Sequence, residues 1–227
     1  MMKYPDYKVF PYTGGDLFLH IKTATVDQRF DISFAFTSLV EKSFKEIEKT
    51  ETLGFAYKVG SNGLARDLGG FEDGTDNLKP GNRKEHVLTE TSSSFMLAQK
   101  WVHDLKKWNN FPVKEQETMI GRTKKDSIEL DPLPPTSHVG KVDSHMKMFR
   151  QSLSFGDSNE NGLFFIAYAK QVRAFHHALH FMSGSRHPGV DKIIGNLSNA
   201  VSGAYWYVPS VEELRKYSGN IATIITK

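Results

Sequence analysis

Two side chains of complementary chemistry stand in one stretch, Thr136-Ser-His-Val-Gly-Lys-Val-Asp-Ser-His-Met-Lys-Met-Phe-Arg-Gln-Ser-Leu-Ser154. His138 follows a proline-rich loop (Pro132, Pro134, Pro135), and Arg150 falls in an alternating, strand-like run. A neutral imidazole is the commonest protein ligand for a metal. A guanidinium is always charged and can stabilise an anion as it develops. A third group, Asp73, stands upstream in Gly69-Gly-Phe-Glu-Asp-Gly-Thr-Asp76. Glycines on both sides let the backbone turn tightly and leave that carboxylate unshielded. Each has a plain structural explanation when taken alone: a satisfied histidine, a strand arginine, an Asx-turn. The Asp73, Asp76, Asn77 spacing also invites a calcium loop, but the distal bidentate Glu of an EF-hand is missing.

The composition limits what such a site can be. The 227 residues suffice for a large packed domain or two small ones, with 39% apolar and 24% charged residues. A net charge of +3 is small for that length, so Lys106-Lys107 and Lys124-Lys125 read as solvated faces and no nucleic-acid partner is expected. No stretch approaches the roughly 18 apolar residues that span a bilayer, so no membrane partner is expected either. Met1-Met-Lys-Tyr-Pro-Asp-Tyr contains no apolar signal region, and a cytoplasmic setting is the expectation. The absence of cysteine excludes disulfides, thiolate catalysis, Fe–S clusters and cysteine zinc sites together. Any metal must be held by His, Asp, Glu or a cofactor.

The elements that must position these groups follow from periodicity. Residues 17–21 read as a strand, Asp27 to about Glu48 as a helix, and Gly54 to Val59 as a second strand. Ser61 to Glu90 has no sustained periodicity, and a loop that long inside a domain is usually functional or disordered. Phe95 to His103 reads as a strand, followed by a helix with Pro112 in its first turn. Met148–Phe155 and Leu163–Ala169 read as strands, Val172 to Met182 and Val190 to Leu197 as helices, and Ala204–Val208 as a closing strand. The order from Phe95 is β-α-β-β-α-β with one extra helix, the ferredoxin-like pattern. The expected fold class is α+β: two ferredoxin-like halves with antiparallel sheets. Residues 1–90 form an incomplete first half carrying the glycine loop, and 91–227 form a complete second half.

Gly70-Phe-Glu-Asp-Gly-Thr75, Ile120-Gly-Arg-Thr-Lys124, Thr136-Ser-His-Val139 and Phe149-Arg-Gln-Ser-Leu-Ser-Phe-Gly156 occur in the order of the dye-decolorizing peroxidases, haem enzymes built from two ferredoxin-like halves. Gly162-Leu-Phe-Phe-Ile-Ala-Tyr168 and Val201-Ser-Gly-Ala-Tyr-Trp-Tyr-Val-Pro-Ser210 extend the likeness, which runs from about Tyr12 to Leu214. The chain most resembles the bacterial cytoplasmic type B subgroup and begins after that family's opening strand-helix-strand.

The resemblance implies a haem b cofactor, with hydrogen peroxide and an organic electron donor, a dye or phenolic compound, as reactants. It implies that His138 ligates the iron from the proximal side and that Asp73 and Arg150 form the distal acid–base pair. Arg122 matches the position that pairs with a haem propionate. Ser152 matches a distal position that holds a water, and Phe165 one that packs over the haem face. Asp191 is the candidate for the carboxylate that the family places against the proximal histidine. A homo-oligomer is expected, and the missing opening strands fit a fragment, a short form whose sheet edge another subunit covers, or a partly folded chain. A non-catalytic haem or porphyrin binder is the alternative function. His103, His145, His176, His177 and His180 read as surface or satisfied core residues, and His176 and His180 lack the acidic partner of a zinc motif. The tryptophans Trp101, Trp108 and Trp206, with Tyr205 and Tyr207, read as core.

Overall fold

Strands made of Phe, Trp, Val and Ile with small residues between them suit a pleated, half-buried surface, and such runs build the sheet of this chain. A computed structural model describes residues 9–44, 47–60, 63–142, 147–185 and 189–217. In chain order the elements are α1 (Val26–Glu41), β1 (Gly54–Phe55), α2 (Pro80–Val87), β2 (Ser94–His103), α3 (Leu105–Asn110), α4 (Val113–Ile120), α5 (His138–Lys141), β3 (Phe149–Arg150), β4 (Leu153–Gly156), β5 (Asn161–Ala169), α6 (Arg173–Met182), β6 (Ser198–Val208) and α7 (Val211–Tyr217). By chain contacts there are two units. Gly15–Thr52 contains α1, and Met1–Gly14 with Leu53–Lys227 contains everything else.

The larger unit carries a 6-stranded sheet in the order β1-β4-β5-β2-β6, with β3 also paired to β5. Every pairing is antiparallel. Setting β1 aside, the order is second, third, first, fourth strand, which is the ferredoxin-like arrangement. β2 lies at the centre, hydrogen-bonded along its length to β5 on one side and β6 on the other. The fold is therefore α+β and ferredoxin-like.

α6 covers one face of this sheet. Its buried Phe175, Ala178, Leu179 and Met182 recur at helical spacing and form a single apolar stripe. The stripe packs with Leu97 and Trp101 of β2, Ala167 and Ala169 of β5, Met148 and Phe10 in the larger core cluster. A second cluster joins Phe71 of the glycine loop to Trp108 of α3, Met119 and Ile120 of α4, and Leu197. Trp108 is fully buried, and its indole N–H donates to the Gly69 carbonyl at 3.1 Å, so the glycine loop is bolted to a helix pair.

Several expectations change. Residues 17–21 form no strand. α1 stops at Glu41 instead of Glu48, with Lys45 and Glu46 outside the described residues. The second strand shrinks from Gly54–Val59 to β1, where Gly54 and Phe55 face Phe155 and Ser154. The aperiodic segment contains α2, an eight-residue helix burying only Val87, so no apolar stripe announces it. Pro112 is the cap of α4, not part of its first turn. Val190–Leu197 is a series of turns: Asp191 accepts the Ile193 N–H with its side chain, and Gly195 has a φ of 76°. Met148–Phe155 is broken into β3 and β4 because the Ser152 hydroxyl takes the Ile166 N–H at 3.3 Å, a donor that a continuous strand would have bonded through its backbone.

Candidate functional site

His138 is the first residue of α5, a single helical turn defined by its cap. The Ser137 hydroxyl accepts the Gly140 N–H at 3.1 Å and donates to the Pro134 carbonyl at 2.7 Å. This ties the proline loop to the start of the helix and fixes where the imidazole begins. Gly121 presses against the same cap: a Cβ there would come within 2.7 Å of Ser137 Oγ and 3.0 Å of Val139 Cβ. Gly121 also closes α4 in the left-handed region, at φ 96°, so glycine is required both for conformation and for space.

The imidazole is held from behind. Asp191 Oδ2 lies 2.7 Å from His138 Nδ1, and its other oxygen accepts the Ile193 N–H at 3.1 Å. Asp191 is 1% exposed, whereas the His138 side chain keeps 37% of its surface. Burial alone lowers the His138 pKa, but the Asp191 charge and hydrogen bond oppose it, and the net shift is upward. With Nδ1 committed to the carboxylate, Nε2 is the nitrogen left for a ligand. Among the described residues no group of three or more His, Asp and Glu side chains could hold a metal ion. His138 is a donor without a ready-made multidentate site around it.

Arg150 comes from β3, where it pairs with Ala167. Directly opposed residues share a sheet face, so Arg150 stands on the face of Ala167 and, two residues along β5, of Phe165. That is the face covered by α6. Asn77 clamps the short strand from its free side: its amide donates to the Arg150 carbonyl at 2.7 Å and its oxygen accepts the Arg150 N–H at 2.9 Å. The Arg150 Nε is buried with no hydrogen-bond partner. An unpaired buried donor on a charged group costs free energy, and its usual explanation is a missing acceptor.

Asp73, Ser152 and Ser154 line one narrow cleft of about 20 Å³, together with Asp67, Arg66 and Leu163. Gly74, at φ 85°, makes the turn after Asp73, and Asp73 N–H donates to the Ala65 carbonyl at 2.9 Å. The charges of Arg150 and Asp73 both act on His138, the first lowering and the second raising its pKa, so the three candidates lie within electrostatic reach of one another.

Arg122 is placed differently from the other candidates. Its guanidinium donates to Asp76 at 2.7 Å, to Glu129 at 3.2 Å and to the Ser127 carbonyl at 3.1 Å. It therefore braces the end of the glycine loop, and an added carboxylate would compete with two already present. His145 lies outside the described residues. His103 donates or accepts at Ser198 and its pKa is pushed down to about 4 by burial, a satisfied structural residue.

Two residues of the site escape sequence reasoning. Asn77 looks like a turn residue, and its two bonds to Arg150 span a separation that no local pattern reports. Asp67 lies in Ala65-Arg-Asp-Leu, where nothing in the spacing points to it. Its carboxyl accepts the Phe71 N–H at 2.9 Å, and burial, with Asp73 nearby, raises its pKa to about 6.

The comparisons with known proteins agree with this topology. The sequence model described as Dyp-type peroxidase, C-terminal, matches residues 64–213. A dye-decolorizing peroxidase of Rhodococcus erythropolis is 30% identical over 223 residues, covering 90% of this chain and 62% of that protein. One from Mycobacterium tuberculosis is 30% identical over 90% of this chain and 64% of its own length. The chain thus spans less than two thirds of these relatives. Among solved structures, a Rhodococcus jostii DypB variant in complex with heme superposes with a TM-score of 0.80 at 32% identity, covering 90% of this chain and 69% of that one. A dye-decolorizing protein from V. cholerae gives 0.75 at 34% identity, covering 85% and 66%. This chain belongs to the Dyp-type peroxidase family.

Proposed function

We propose that the chain binds haem b through His138 and reduces hydrogen peroxide while oxidising an organic donor such as a dye or phenol. The observation that carries this reading is the His138–Asp191 pair within electrostatic reach of Arg150 and Asp73. The residues fit the group. Nδ1 of His138 is taken, its Nε2 remains available, and the buried Arg150 Nε lacks an acceptor that a bound oxygen ligand can supply. Haem, when bound, supplies the redox chemistry.

The protein's part is electrostatic and geometric. Asp191 makes the imidazole a stronger donor by accepting its Nδ1 proton in a short hydrogen bond. Asp73 takes the proton that peroxide loses on binding and returns it to the departing oxygen. Arg150 stabilises the negative charge that develops as the O–O bond breaks. Ser152 and Ser154 line the cleft beside Asp73 and can hold a water there. Phe165 supplies an apolar wall on the same sheet face, and Arg122 is assigned to a propionate in competition with Asp76 and Glu129. The cysteine-free chain suits a cytoplasmic setting, and homo-oligomeric assembly belongs to the same reading. Among the described residues no helix is long and apolar enough to cross a membrane.

The test is peroxide turnover by the haem-loaded chain. Arg150→Ala should slow it about 10²–10³-fold, the cost of removing one preorganised charge-stabilising donor, while haem stays bound. Unchanged turnover removes Arg150 from the reaction.

A further inference from the structure

Asp67, a second carboxylate of the cleft that holds Asp73, has no task in the chemistry proposed for the site. We propose that Asp67 and Asp73 share one proton across this cleft, with Asp67 as its holder. This rests on the peroxidase reading for its functional consequence but not for the proton sharing itself.

The geometry comes first. Asp67 and Asp73 line one cleft with Ser152 and Ser154, and about 20 Å³ is room for a single bridging water. Asp67 is held rigidly. Its Oδ1 accepts the Phe71 N–H, its own N–H donates to the Phe71 carbonyl at 2.8 Å, and its carbonyl accepts the Gly70 N–H at 3.0 Å. Phe71 in turn stacks edge-to-face on the buried Trp108, ring centroids 6.2 Å apart. Asp73 is anchored through the Ala65 carbonyl, two residues before Asp67. The backbones of the two residues are thus held by one tight turn.

Two carboxylates in a small, poorly hydrated space cannot both ionise freely, and the less solvated one keeps the proton. Burial is the largest influence on Asp67, and the neighbouring Asp73 charge adds to it. The other charged groups near Asp67 are known. His138 opposes the upward shift, and Lys124 interacts with Asp67 while its ammonium donates to Gln116 at 2.6 Å. Arg66 lines the cleft too, with its guanidinium donating to the Gly70, Lys124 and Lys125 carbonyls and pairing with Glu72. Asp67 nonetheless stays protonated to about pH 6.

Asp67 acts through Asp73 and is a positioning residue. A purely structural Asx-turn would be served equally by asparagine, which keeps the Oδ1 acceptor for Phe71, so Asp67→Asn separates the two roles. The measurement is the infrared carboxyl band of the haem-free full chain between pH 4 and 8, read beside the peroxide reaction of the haem-loaded chain over the same range. The wild type should show a protonated-carboxyl band that disappears near pH 6, absent from Asp67→Asn and shifted to lower pH in Asp73→Asn. The wild-type peroxide rate should carry an inflection at the same pH. Asp67→Asn should lose the inflection and hold the low-pH rate throughout, and Asp67→Glu should restore an inflection. A band that survives in Asp67→Asn, or no band in the wild type, overturns the proposal. Should Asp67→Asn fail to fold, an Asp73→Asn band unmoved from the wild-type pH overturns it equally. If the wild type never binds haem, the peroxidase reading falls while the infrared result still decides whether the pair shares a proton.

Discussion

Asp191 reaches His138 across 53 residues of sequence to place its Oδ2 2.7 Å from the imidazole Nδ1, and it does so from a position that is 1% exposed. A buried carboxylate against a partly open imidazole fixes the ring's orientation, its tautomer and its basicity at once.

That pairing sets the titration of His138 in the haem-free chain. Burial lowers the pKa and Asp191 more than restores it. The folded-state value is raised, so its contribution to stability is fully present below the unfolded value near 6.5 and is lost as pH rises through the folded pKa. In Asp191→Asn, proton NMR should show His138 titrating below its wild-type value, with the pH dependence of unfolding over that window removed. A His138 titration unmoved by the substitution contradicts the assignment.

Asp67 adds a slope of the same sign, at lower pH. A carboxyl whose folded pKa is about 6, against an ordinary value of 3.8, binds more protons folded than unfolded between those two limits. Its contribution therefore becomes unfavourable as pH rises from about 4 to about 6 and stays so above. Urea unfolding should show Asp67→Asn gaining stability relative to wild type across that window, by an amount on the order of 1–3 kcal/mol at neutral pH. A difference that does not change with pH rules this out.

Asn77 substitutes for a missing strand partner of β3. Removing its side chain leaves the Arg150 N–H without its bond and its C=O with only the Gln151 amide at 3.2 Å, an expected loss of about 1–3 kcal/mol in thermal or urea unfolding. Hydrogen exchange at the Arg150 amide should accelerate in Asn77→Ala. An unchanged exchange rate would show that the clamp contributes nothing in solution.

Gly121 guards the histidine indirectly. An alanine there must adopt a φ of 96° and place its Cβ 2.7 Å from Ser137 Oγ. We expect Gly121→Ala to cost more than about 2 kcal/mol through strain and the displaced cap, and to weaken haem uptake although it touches neither His138 nor Asp191. Wild-type melting and uptake would contradict this.

His138, Arg150 and Asp73 each have an ordinary structural explanation in their local sequence, and their roles come from the family resemblance, whereas the β2, β5 and α6 segments carry their apolar pattern openly. Asp67 and Asn77 escape such reading, because a half-buried turn carboxylate and a long-range amide clamp are created only by folding. α2 was hidden because it buries a single residue, and Val190–Leu197 misled because its apolar spacing is helical while Asp191 and Gly195 turn the backbone out of a helix. Strand Met148–Phe155 was divided by one hydroxyl, Ser152, which no propensity scale weighs against a backbone bond.

The central claim is that His138 is the haem ligand, and an absorption spectrum tests it most directly. Titrated with haem, the purified chain should develop a Soret band of a histidine-ligated haem that changes on adding peroxide. His138→Ala should not develop it, and Asp191→Asn should develop it with a shifted position. A wild-type chain without a Soret band, or a His138→Ala chain with the wild-type spectrum, contradicts the account.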